Sequence, residues 1–481
     1  MNGKMTIYIL GRMLGVEAIV LLAPTLVSVI YGEEGWKAFL LTSAILVLFY
    51  MVFGRKKPKD TTIYGKDGFV IIASAWILWS IFGALPFWIS GAIPSYVDAF
   101  FETVSGFTTT GSTILTDIAA MPKGMNFWRC LTHWIGGMGV LVFVMVIVSL
   151  EDKNSMHLMR AEVPGPETDK LVPKARETAR ILYGMYLALT VMEVIFLLLG
   201  GMNLYDSVIH AFSTAGTGGF NNRNNSVAYY NSAYIEGVIT IFMILFGINF
   251  NMYYFLLLKK VKAVFKNEEL RAYIGIILGA AALITVNILQ IYGSVLRAFR
   301  YAIFQVASVI TTTGFATADF NVWPEFSKII LMGVMIIGAC AGSTGGGMKI
   351  SRILIMLKSV KREMQRLLHP KSVNIVKVNG KKVKEETLQG VYVYFIAYVA
   401  IFVVSVLLIS LNNFDFATTF SGVLTTISNV GPGISKVGPI ENFSIFSDFS
   451  KIVFCLDMLI GRLEIFPFLM LFSPNLWRPK F

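Results

Sequence analysis

The chain has 481 residues, of which 55% are apolar and 15% charged, with a formal net charge of +12. A mean hydropathy of +0.67 excludes an ordinary soluble domain, in which roughly a quarter of residues are charged, and fits an integral membrane protein. The basic residues lie in short runs between apolar stretches, so they orient a membrane protein and give no reason to expect a nucleic-acid partner.

In chain order, ten stretches are long and apolar enough for spanning helices: residues 5–31, 36–53, 68–90, 126–150, 180–202, 233–258, 272–293, 326–357, 389–411 and 449–472. The first contains Arg12 and Glu17 and shows no small-residue cleavage site, so it reads as a retained span and not as a signal peptide. RKKPK (55–59), residues 151–180, KKVKAVFKNEELR (259–271) and the tract 358–384 fall on one side together with both termini. The positive-inside rule makes that side the cytoplasm. Cys130, Cys340 and Cys455 are too widely spaced for a metal motif or a disulfide framework.

Four shorter apolar stretches remain, at 95–110, 204–217, 297–313 and 414–430, none long enough to cross. Each follows one long helix, ends in a polar Gly-containing string and precedes another long helix, so helix, half-helix, loop and helix recur four times. The expected architecture is an all-α polytopic membrane protein. Two leading helices (1–67) precede four pseudo-symmetric repeats round a central pore, at 68–177, 178–271, 272–388 and 389–481. Aligning the strings on Gly111, Gly219, Gly314 and Gly431 places a hydroxyl residue six positions earlier each time: Ser105, Ser213, Ser308 and Thr425. Asp98 and Asp206 share a position suited to the first turn of a short helix; Asp415 lies slightly earlier in the fourth string, and the third has no counterpart.

Non-helical backbone at membrane depth survives only when buried or lining water, so four such strings predict a shared polar cavity. The residues expected to form it are Thr109, Thr110 and Gly111; Thr217, Gly218 and Gly219; Thr312, Thr313 and Gly314; and Asn429, Val430 and Gly431. Glycine permits the backbone that turns successive carbonyls inward, threonine adds an uncharged oxygen, and the helix C-termini add negative partial charge. With no Asp or Glu ring in the strings, a monovalent cation is expected, held foremost at Thr110, Gly111, Thr313 and Gly314.

GFTTTGST (106–113), FSTAGTGGF (212–220), TTTGFATADF (311–320) and SNVGPG (428–433) resemble the four filter strings of the Trk/Ktr/HKT potassium transporter superfamily. GRLEIFP (461–467) and LLHPK (367–371) resemble its bacterial Trk-type branch, and the likeness covers nearly the whole chain. The resemblance implies K+ uptake across the bacterial plasma (inner) membrane, a homodimer in lipid, no organic cofactor on this chain, and a cytoplasmic TrkA-type regulatory ring that binds NAD(H), ATP or ADP. It leaves potassium symport coupled to Na+ or H+ open as an alternative. The second and fourth strings depart from Thr-Thr-Thr-Gly, which predicts an uneven filter.

GACAGSTGGGMK (338–349) interrupts the second helix of the third repeat. It lacks the spacing and preceding strand of a phosphate-binding loop; polar glycine-rich backbone at mid-membrane is expected to line the cavity below the strings. The resemblance makes this segment, with Gly342, Ser343, Thr344, Gly345, Gly346, Gly347 and Lys349, an obstructing loop, and places Arg462 beside it as part of the barrier. Flanked by Asp457 and Glu464, Arg462 has as its alternative reading a structural ion pair within the helix bundle. Glu17, Glu102, Glu193 and Glu236 are expected to be satisfied interhelical partners. His133, His157, His210 and His369 show no ligand spacing, and His210, aligned with Glu102 and Gln305, is expected to support the strings. The tract 358–384 reads as a lipid-facing surface or as the docking face for the ring. No HExxH, GxSxG or paired acidic motif suggests an enzyme.

Overall fold

The computed structural model describes residues 2–139, 175–372 and 374–474. His157, most of the basic stretch 151–180 and the distal part of the 126–150 helix lie outside them. Two leading helical spans, Gly3–Ile30 and Trp36–Gly54, form a hairpin. Four repeats follow. Their first helices are Gly65–Ile89, Ala175–Leu199, Glu268–Tyr292 and Glu385–Ile409. Their short pore helices are Tyr96–Phe107, Leu204–Gly216, Val295–Ile310 and Phe416–Ile427. Their second helices begin at Lys123, Ala233, Glu325 and Asp448.

The pore helices start where their caps dictate. Ser95, Asn203 and Asp415 accept from the backbone N–H three residues on, at 3.4, 2.8 and 3.0 Å. Asp98 and Asp206 sit in first turns as expected, but the preceding Ser95 and Asn203 do the capping. The two carboxylates instead tie the helices to other elements: Asp98 pairs with Lys451 of the fourth repeat at 2.5 Å, and Asp206 accepts from Asn222 (2.6 Å) and the Tyr230 hydroxyl (2.8 Å). Burial, and then Asp206, push the Tyr230 phenol well above its ordinary range. Behind the first pore helix, Phe107 sits edge-on between Trp79 and Trp128, and the Trp128 indole donates to the Gly83 carbonyl at 2.9 Å. This aromatic wedge fixes the helix against its neighbours.

The second helices depart from the sequence expectation. Only the third was expected to be interrupted. The helix expected over 233–258 ends at Phe246 and resumes at Phe250 after a 90° bend, and the one expected over 449–472 stops at Arg462 and resumes at Phe466. In the first repeat the described helix ends at Gly137. The breaks fall where glycine brings these helices against the pore-helix ends. A Cβ on Gly136 would lie 1.9 Å from the Phe107 carbonyl, and one on Gly461 would lie 2.1 Å from the Ile427 carbonyl. Such contact admits only glycine at the last turn of each helix, just before the chain leaves helical geometry.

Candidate functional site

Each pore helix ends in the same turn. The residues two before the anchoring glycine, Thr109, Thr217, Thr312 and Asn429, have φ of 55°, 55°, 60° and 56°, and the glycines themselves have φ of 82°, 82°, 82° and 103°. The left-handed residue closes the helix. Its N–H bonds the carbonyl three residues back, and the next N–H reaches five residues back, as in a Schellman end. Those second bonds run from Thr110, Gly218, Thr313 and Val430 to the carbonyls of Ser105, Ser213, Ser308 and Thr425, at 2.9, 2.8, 2.8 and 2.9 Å. The recurring hydroxyl positions are thus the anchor points of the turns. In the last two strings the hydroxyls also reach forward, Ser308 to the Phe315 carbonyl at 2.6 Å and Thr425 to the Pro432 carbonyl at 3.2 Å. Non-glycine residues in this backbone region carry strain, a cost that concentrates at functional sites.

The four turns close on one another. A Cβ on Gly111 would meet the Gly218 carbonyl oxygen at 1.9 Å, on Gly219 that of Thr313 at 2.2 Å, on Gly314 that of Val430 at 2.2 Å, and on Gly431 that of Thr110 at 2.7 Å. The order is first to second to third to fourth and back to first, a cyclic ring of glycine against carbonyl. No hydrogen bond of ordinary geometry from a described residue reaches the carbonyls of Thr110, Gly218, Thr313 and Val430, and the His133 ring lies close to Gly218. Buried carbonyls are ordinarily paired, so four converging ones without such a bond make a site of negative potential. The glycines open into a cavity also lined by Thr113, Asn221, Pro432 and Glu441. Two threonine hydroxyls of the strings also pair locally, while that of Thr109 is buried without a hydrogen bond to a described residue. Those of Thr110 and Thr313 bond those of Thr108 and Thr311 at 2.8 and 2.7 Å, so they brace the turns.

The two irregular strings have structural reasons. Gly218 stands where the first and third strings carry threonine because the His133 ring occupies that space, 2.3 Å from where a Cβ would sit. His133 is held by the Gly106 carbonyl at 2.7 Å and stacks on Phe220 at 4.2 Å. Asn429 uses its amide to bridge the fourth string to the first, donating to the Thr110 hydroxyl and the Met458 carbonyl, both at 2.9 Å. Sequence reasoning passed over His133, whose partner is remote in the chain.

Supports beside the ring follow in part the expected alignment. Glu102 is fully buried and pairs with Arg129 at 2.7 Å, while accepting from the Thr113 hydroxyl (2.9 Å) and the Ile114 amide (3.0 Å) just past Gly111. His210 stacks beside Phe315 just past Gly314, and the Gln305 amide reaches the Ala318 carbonyl at 3.4 Å. Glu236 is satisfied by both arms of Arg300, at 2.5 Å each. Glu17 and Glu193 are not satisfied as expected: both are buried with neither carboxylate oxygen in a hydrogen bond of ordinary geometry to a described residue, and the Thr214 hydroxyl near Glu193 donates instead to the His210 carbonyl at 2.9 Å. Among the described residues no cluster of His, Cys, Asp or Glu could hold a metal ion.

The loop at 338–349 lies directly beneath the third and fourth turns. Gly346 N–H donates to the Thr312 hydroxyl at 2.7 Å, and Gly347 N–H donates to the Ser428 carbonyl at 3.0 Å. The bend in the second repeat holds the loop from the side, with Cys340 N–H on the Gly247 carbonyl (3.1 Å) and Phe250 N–H on the Gly342 carbonyl (3.0 Å). Ser343 closes on the Cys340 carbonyl at 2.6 Å, Lys349 on that of Gly345, and Gly345 packs on Thr311. Glu269 accepts from Ala341 N–H at 2.8 Å and Ser351 N–H at 3.1 Å, clamping both ends; its place in an ordinary acidic first helical turn gave no signal of this. Arg462 donates to the Thr344 carbonyl and the Gly137 carbonyl, each at 2.8 Å, and also to that of Gly136. The ion pairs considered for Arg462 are taken otherwise: Glu464 pairs with Arg352, and Asp457 accepts from Ser405 at 2.6 Å.

Four re-entrant turns joined in one ring within a helical membrane protein define a transport protein for cations and not an enzyme. The family model described as "TrkH: Cation transport protein" matches residues 36–479, and the chain belongs to that family. It is 36% identical to the Trk system potassium uptake protein TrkH of Escherichia coli strain K12, over 95% of this chain and 96% of that protein. It is 32% identical to TrkG of the same strain, over 99% of both. Its fold matches the crystal structure of the potassium transporter TrkH from Vibrio parahaemolyticus with a TM-score of 0.87 at 33% identity, covering 99% of this chain and 100% of that one.

Proposed function

We propose that the protein takes up potassium across the bacterial plasma membrane, channel-like, through the ring closed by Gly111, Gly219, Gly314 and Gly431. The observation that carries this reading is the ring of converging carbonyls on Thr110, Gly218, Thr313 and Val430. Oxygens fixed by the turns replace the hydration shell of a weakly hydrated monovalent cation, and the pore-helix C-termini add negative potential. The potassium uptake named for its relatives supports the choice of ion.

The 338–349 loop obstructs the path beneath the ring, and Arg462 latches it while placing a positive charge at the constriction. The chain works as a homodimer with both termini in the cytoplasm. A TrkA-type ring binding NAD(H), ATP or ADP docks on the basic tract 358–384 and releases the loop. Growth rescue tests the reading: the protein, expressed with its regulatory ring, restores a potassium-uptake-deficient bacterium at low potassium, and Gly314→Ser abolishes rescue at equal membrane expression. Failure of the parent protein to rescue would count against it.

A further inference from the structure

A cavity of about 330 Å³ opens on the pore-helix face to one side of the ring, between the leading hairpin and the first two repeats. Tyr31 of the hairpin, Lys123 and Asn126 of the first repeat, and Tyr205, Asn222 and Arg223 of the second line it. Three buried polar atoms on these residues make no hydrogen bond of ordinary geometry to a described residue, Asn126 Nδ2, Asn222 Oδ1 and Arg223 Nε, the first lying near the Tyr205 hydroxyl. Asn126 is 98% buried, its residue exposure being 2%. The Lys123 ammonium sits over the Tyr31 ring at 3.9 Å, within 5.8 Å of the Tyr205 ring, and forms no ion pair with a described residue.

Unpaired buried polar atoms are costly, and two donors, one acceptor and a cation around one cavity form a complementary set for a ligand. One carboxylate, Asp206, also lines the cavity and Glu33 lies beside it, and both are engaged by other groups. Asp206 is used by Asn222, Tyr230 and, at 3.9 Å, Arg223. Glu33 accepts from Lys123 N–H at 2.6 Å and Gly124 N–H at 2.9 Å, capping the second helix of the first repeat. We infer that this cavity binds a phosphoryl group that brings a hydroxyl with it. The anionic oxygens accept from Lys123, Arg223 and Asn126, and the hydroxyl donates to Asn222 Oδ1. Charge-assisted donors of this kind favour phosphate, while sulfate, which has no proton at neutral pH, leaves the Asn222 oxygen facing a bare oxygen. Free phosphate and a phosphatidylglycerol headgroup, with its glycerol hydroxyls, share the chemistry. Either one bridges the hairpin to the first two repeats.

The test is the thermal midpoint of the full-length protein in detergent at constant ionic strength, titrated with inorganic phosphate or sulfate, and separately with phosphatidylglycerol or a zwitterionic lipid. The inference predicts a rise of about 5 °C near saturation with phosphate and a smaller one with sulfate. Lys123→Gln is expected to raise the half-saturating phosphate concentration about tenfold or more. A rise with phosphatidylglycerol alone, lost in Lys123→Gln, assigns the same site to a lipid headgroup. Equal shifts with phosphate and sulfate overturn the assignment, as does no shift with phosphate or phosphatidylglycerol in the unsubstituted protein.

Discussion

Arg462 reaches across the molecule to the Thr344 carbonyl at 2.8 Å, joining the last helix to the loop beneath the ring. Removing the guanidinium removes its hydrogen bonds to the Thr344, Gly136 and Gly137 carbonyls and, on the proposed reading, a positive charge from the ion path. Arg462→Ala is therefore expected to raise potassium flux into liposomes several-fold in the absence of the regulatory ring. Arg462→Lys, which keeps the charge but cannot span three carbonyls, is expected to give an intermediate flux. Unchanged flux in the alanine variant would remove Arg462 from the barrier.

Glu269 clamps the same loop through two amides. Glu269→Ala leaves both N–H groups unpaired, at about 1–3 kcal/mol for each that water does not reach. Basal flux is expected to rise and regulation by the ring to weaken. Hydrogen exchange at Ala341 and Ser351 is expected to speed up in parallel.

Gly218 and His133 share one space. Gly218→Thr, which restores the pattern of the first string, is expected to abolish transport in spite of its apparent regularity. Adding His133→Gly is expected to recover folding and part of the flux. Transport by Gly218→Thr equal to the parent would show that the ring tolerates a displaced second turn.

The Arg129–Glu102 pair is fully buried, and leaving either partner alone is expected to cost about 3–5 kcal/mol. Arg129→Met is expected to lower thermal stability sharply, and Arg129→Met with Glu102→Gln to recover most of the loss. A double-mutant cycle in detergent gives the coupling. Strict additivity would mean that the two side chains do not act as a pair.

The repeats were legible because their signal is local: run length, helix-capping residues and a glycine string following each half-helix. The hydroxyl register was legible too, and its meaning came from the backbone, since the carbonyls of Ser105, Ser213, Ser308 and Thr425 anchor the four turns. The bend at residues 247–249 carries only a faint mark, Gly247, Asn249 and Asn251 within an otherwise largely apolar stretch, and part of its backbone is paired by the 338–349 loop, which lies about ninety residues further on. His133 filling the space at Gly218 depends on residues 85 positions apart in different repeats, beyond the reach of any local pattern.

The central claim is that one closed ring of four unequal turns selects a weakly hydrated monovalent cation, and ion flux into liposomes containing the full chain tests it most directly. Potassium and rubidium are expected to pass well ahead of sodium and lithium, and Gly314→Ser, whose side chain meets the Val430 carbonyl, is expected to collapse that order. Equal flux of all four cations through the parent protein, or an unchanged order in Gly314→Ser, would contradict it.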